Sequence, residues 1–143
     1  MGWKALKEAL NIGHFVTAHG KGVCIGSPYI HDIIVIGRDG VITKRSDGRS
    51  NEDIARYQRE IDADPERVKQ LIEAQDQFER SITVYTYSGS QIIEKQCEEL
   101  GWPNVTHDGE MMYENTFSAD KMQVVKWAKE SLEAEIKWAS REI

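Results

Sequence analysis

A chain of 143 residues with 40% hydrophobic and 29% charged side chains has the make-up of one globular domain, 1–143, and its four Trp and five Tyr argue against disorder. No apolar run approaches the roughly 20 residues that span a bilayer. Net charge is −6, and residues 61–143 carry 9 basic against 17 acidic groups, a balance that speaks against general nucleic-acid binding because phosphate neutralisation needs a basic face.

The start Met1-Gly2-Trp3-Lys4 opens directly into a helical pattern without a signal-peptide core, and Leu6 stands where a myristoylation signal wants Ser or Thr. A cytoplasmic protein without membrane contact is therefore expected. Cys24 and Cys97 read as two packed thiols, and two thiols alone make neither a disulfide framework nor a zinc site. Asn104-Val105-Thr106 matches a glycosylation sequon that means nothing without secretion.

In chain order, Trp3 to Leu10 predicts a short helix with Trp3, Leu6 and Leu10 on one face. Strand signals follow at 14–17 and 23–25 around the glycines of Ala18-His19-Gly20-Lys21-Gly22. A clearer hairpin joins Ile33–Ile36 to Val41–Thr43 across Gly37-Arg38-Asp39-Gly40. Ser50-Asn51-Glu52-Asp53 reads as a capping box for a helix buried through Ile54, Tyr57 and Ile61. Asp64-Pro65-Glu66 starts the next, with Val68, Leu71, Ile72 and Phe78 as its apolar stripe, and the short link predicts a helical hairpin.

Residues 81–87 alternate as a strand, and Ser88-Gly89-Ser90 turns into a segment, 91–100, that fits a second hairpin arm somewhat better than a helix. Residues 102–110 read as a turn-rich loop, with a short strand or bridge at 111–113. Ser118 is taken as the cap of a long terminal helix whose Val125, Ala128, Leu132, Ile136, Ala139 and Ile143 recur at 3, 4, 4, 3 and 4 as a heptad-like seam, with Trp127 and Trp138 off it. The fold class expected is α+β: an antiparallel sheet built from hairpins, a helical hairpin in the middle and a long C-terminal amphipathic helix. That helix either lies across the sheet or pairs with its copy in a homo-oligomer.

The chemistry is less defined. Three of the histidines among His14, His19, His31 and His107, with Asp32 and Asp108, are a possible metal set, but no spacing matches a metal motif. Paired His-x-Thr or His-x-Ser motifs for gripping phosphate are absent, since two residues separate His14 from Thr17. Cys24 between Val and Ile reads as packed and not as a nucleophile. Gly20-Lys21-Gly22 lacks the length and ending of a phosphate-binding loop. No cofactor is implied.

Two constellations remain. Arg38, Lys44, Arg45, Arg49, Arg56 and Arg59 crowd into 22 residues, and Arg forks suit phosphate or carboxylate, although a solvated face pairing with the acidic second half explains them as well. Asn104, Thr106, His107, Asp108, Tyr113 and Asn115, with Tyr85 and Tyr87, carry the groups that read a base, sugar or peptide edge, and equally those that close turns. The candidate ligand-binding residues are these eight with Arg45 and Arg49, and none is assigned a catalytic role.

The stretches 20–32, 84–89 and 102–117 together resemble a group of small uncharacterised proteins of tailed bacteriophages and prophages. The resemblance implies an accessory protein in a bacterial cytoplasm and brings no activity or site residues. The expectation is a non-catalytic binding protein of the host-defence-antagonist kind, whose partner is a small nucleotide-like ligand or a host protein. The alternatives are a small hydrolase or nucleotide-modifying enzyme using His107 and Asp108 as acid and base, and an acidic DNA mimic.

Overall fold

Four strands carrying β-branched residues, with glycines in two of the turns, build the first sheet. The computed structural model describes residues 1–47, 49 and 51–141, with side chains of the last helix described to Lys137. Helix α1 (Trp3–Ala9) leads into an antiparallel meander of β1 (Phe15–His19), β2 (Gly22–Gly26), β3 (Ile34–Gly37) and β4 (Ile42–Lys44). The register sets Val16 against Ile25, Ile25 against Ile34 and Val23 against Ile36, so these fully buried side chains share one face of the sheet.

Helix α2 (Glu52–Ala63) and α3 (Pro65–Glu73) follow, and Asp64 ends the first and caps the second, accepting from Arg67 N. The expected stripes hold at Ile54, Tyr57, Ile61, Val68 and Ile72. Phe78 is corrected: α3 stops at Glu73, and Phe78 instead packs tilted on the Trp3 ring, centroids 6.1 Å apart. The N-cap of α2 is Asn51, which accepts from Asp53 N and Ile54 N, while Ser50 lies outside the described residues.

The second hairpin is β5 (Ile82–Ser88) with β6 (Gln91–Cys97), so the ambiguous segment is a strand as far as Cys97. The loop expected at 102–110 contains β7 (Asn104–Val105), which forms a two-stranded ribbon with β8 (Met111–Met112). Helix α4 (Lys121–Arg141) closes the described chain and packs against β5 and β6. Its start differs from expectation: Ser118 Oγ accepts from Asp120 N, and Asp120 Oδ1 in turn accepts from Met122 N at the first turn. The architecture is α+β with antiparallel pairing throughout its sheets.

The chain divides into two compact units. One comprises Met1–Phe78 with Asp108–Met111; the other comprises Glu79–His107 and the chain from Met112 onward. In the first, Gly109 at φ +87 accepts from Ala18 N at 3.0 Å, and a Cβ there would sit 2.4 Å from that of Ala18. The second is organised on Val84, Cys97, Met112 and Phe117. Among the described residues no helix is long and apolar enough to cross a membrane.

Candidate ligand cleft

Tyr57 sits on the inner face of α2 because Ile54 and Ile61 bracket it at helical spacing, and it is only 1% exposed. Its hydroxyl takes the Gly13 N–H at 3.0 Å and lies 3.0 Å from His14 Nδ1, with the rings edge-on at 82° and 5.5 Å. A buried phenol needs an acceptor for its own proton, and His14 Nδ1 is the one within reach. With Nδ1 accepting the phenol proton, the imidazole's own hydrogen would sit on Nε2.

Neighbouring residues fix this loop. Arg56 donates to Leu10 O at 3.0 Å, to Asn11 O at 2.9 Å and to Glu60 at 3.0 Å, closing the end of α1 and crossing the Tyr57 ring 4.9 Å from its centroid. Lys7 donates to the His14 carbonyl, its ammonium lies 5.9 Å from the Phe15 centroid, and burial pulls its pKa below the usual lysine value.

His14, Phe15 and Gly13 form one wall of a cleft of about 320 Å³, and Gly26, Ser27, Pro28 and Asp53 complete it. The Ser27 turn is closed on itself: Ser27 Oγ accepts from Tyr29 N at 3.3 Å and Ile30 N at 2.9 Å. Gly26 is required there, since a Cβ would lie 2.2 Å from Ile30 O. Ser27, His14 and Asp53 do not form a nucleophilic relay, because His14 Nδ1, the nitrogen a carboxylate would hold, belongs to the Tyr57 phenol. The cleft's lining instead includes an imidazole residue, a carboxylate residue and the apolar residues Phe15 and Pro28.

None of the ten residues singled out from sequence lines this cleft. In the first unit, Arg45 makes a two-pronged pair with Asp62, both contacts 2.9 Å, holding that carboxyl below its usual range, and Arg49 is an exposed turn residue. Asp108 belongs to the same unit. In the second, Tyr85 and Tyr87 share a face of β5, opposite Glu94 and Ile92. Asn104 closes its own turn, accepting from Val105 N and donating to Glu99 O. Thr106 is fully buried, His107 Nε2 lies 2.9 Å from Arg80 O, Tyr113 O anchors a turn through Phe117 N, and Asn115 is exposed in that turn. The Tyr113 hydroxyl is pushed up by burial.

The metal set drawn from sequence does not assemble: among the described residues no three His, Cys, Asp or Glu side chains gather to hold an ion. Both thiols are pushed up, Cys24 by burial and then Asp32, Cys97 by burial. What sequence reasoning missed is the pairing of His14 with Tyr57, 43 residues apart, and Asp53, which had registered only as part of a cap. No family model matches the chain, and no curated protein or solved structure matches it either.

Proposed function

We propose that this chain is a non-catalytic binding protein of the phage accessory type that its sequence resembles, and that the His14 cleft holds a small planar heterocycle, such as the base of a nucleotide-type signal. The observation that carries this reading is the buried Tyr57 hydroxyl, which accepts from Gly13 N and lies 3.0 Å from His14 Nδ1, a contact that would leave the ring hydrogen on Nε2. A ring with an acceptor facing His14 Nε2–H and an N–H facing the Asp53 carboxylate would match both groups, with Phe15 and Pro28 against its faces. A cleft of about 320 Å³ suits a ligand of that size. Sequestration of such a molecule would serve a host-defence antagonist without any turnover.

Calorimetry of the chain against the four common ribonucleotides and their free bases tests the reading. Heat with at least one is expected, with affinity falling about tenfold or more in His14→Ala, equivalent to about 1.4 kcal/mol. Tyr57→Phe keeps the ring and removes the proton that orients His14, so a loss of about fivefold is expected, the worth of about one hydrogen bond. Absence of heat with every member of the panel would overturn the proposal.

A further inference from the structure

The loop from β2 to β3 carries a side chain that the fold does not use. Tyr29 is 95% exposed, and exposure alone says little, because single apolar side chains are common on surfaces. Two features give this one more meaning. Its backbone is fixed: Ser27 Oγ accepts from Tyr29 N at 3.3 Å, Ser27 N donates to Ile30 O at 2.8 Å, and the close approach at Gly26 leaves the turn no second position. Its chain neighbour, Pro28, lines the His14 cleft. Consecutive Cα atoms lie about 3.8 Å apart, less than the reach of a tyrosine side chain. The ring can therefore turn to the Pro28 side of the cleft mouth by rotation about its own side-chain bonds, with no backbone movement.

Given a heterocycle in the cleft, as proposed for its function, we infer that Tyr29 extends the Pro28 wall over it and that the cleft prefers a two-ring, purine-type base to a single ring. A pyrrolidine covers one ring of a heterocycle, and the phenol beside it covers the second. An aromatic face stacks on a base without reading its edge, so the gain follows ring area and not hydrogen-bond pattern. A one-ring base touches Phe15 and Pro28 and gains nothing from Tyr29.

Calorimetry of the full chain with adenosine and guanosine monophosphates against the cytidine and uridine compounds reads the preference. The better purine is expected to bind at least about tenfold more tightly than either pyrimidine, the value of about one stacked ring. Tyr29→Ala should abolish that preference while pyrimidine affinity, circular dichroism and melting stay unchanged, since the exposed ring packs on nothing. Tyr29→Phe keeps the stacking face and should keep the preference, as should Ile30→Ala on the same turn. The Tyr29 ring protons, assigned through Tyr29→Phe, should move upfield on purine binding. Heat with no nucleotide overturns the cleft reading and this inference with it. Pyrimidines bound as tightly as purines, or a purine preference undiminished in Tyr29→Ala, overturn the role of Tyr29 alone.

Discussion

Asp76 illustrates how much a single side chain contributes. Helix α1 begins at Gly2, which has no side chain to cap with, and the carboxylate of Asp76 supplies the cap by accepting from Lys4 N at 3.0 Å and Ala5 N at 2.9 Å. The charge also complements the positive end of the helix. Asp76→Ala is therefore expected to cost about 1–2 kcal/mol, the value of a lost N-cap, measured by urea titration. A change under a few tenths would mean that water replaces the carboxylate at no cost. The Arg-rich stretch follows the same residue-level logic. Lys44 pairs with Asp32, Arg45 with Asp62 and Arg56 with Glu60 and two carbonyls. Arg38 Nε donates to Gly20 O at 3.1 Å, so four of the six cations are engaged in the local scaffold, which weakens the reading of one anion-binding patch.

At the level of elements, the turn after β2 is the most sensitive structure around the cleft. Gly26 faces the carbonyls of Ile30 and His31 so closely that any Cβ meets them, at 2.2 and 2.4 Å. Gly26→Ala is expected to push the Ser27 turn away, lowering the melting temperature by several degrees and weakening ligand heat, whereas Gly20→Ala, with nothing within 4 Å, leaves both unchanged. Equal behaviour of the two variants would contradict the described turn. Elements of this kind were legible in the sequence wherever periodicity was strong. The sheet face of Val16, Val23, Ile25, Ile34 and Ile36 and the helix stripes of Ile54, Tyr57 and Ile61 follow directly from alternation of two and from helical spacing. Boundaries were less legible where capping passes to a neighbour, as from Ser118 to Asp120. The heptad-like seam of α4 was misplaced for a related reason: its 3, 4, 4 spacing repeats every 11 residues, so Val124 could take the buried line instead of Val125. Trp138, Ala139 and Ile143 lie outside the described side chains.

Across the whole molecule, the candidate site was the least legible feature, and the reason is physical. Sequence inspection favours dense runs of polar residues, and the run from Asn104 to Asn115 is dense because turns consume those side chains. The cleft instead draws Gly13 and His14 from one loop, Gly26 to Pro28 from another and Asp53 from a helix start, and its organising group, Tyr57, registered in sequence only as core. The crowding of cations between Arg38 and Arg59 likewise indicated an anion site that local pairing largely absorbs. The most direct test of the central claim is a nitrogen-detected NMR titration of the histidine side chains with the nucleotides and bases of the calorimetric panel. The free protein should show His14 protonated at Nε2 alone, and the binding member should shift that nitrogen while leaving His107 in place. A free His14 protonated at Nδ1, or shifts confined to His107 and its loop, would contradict the account.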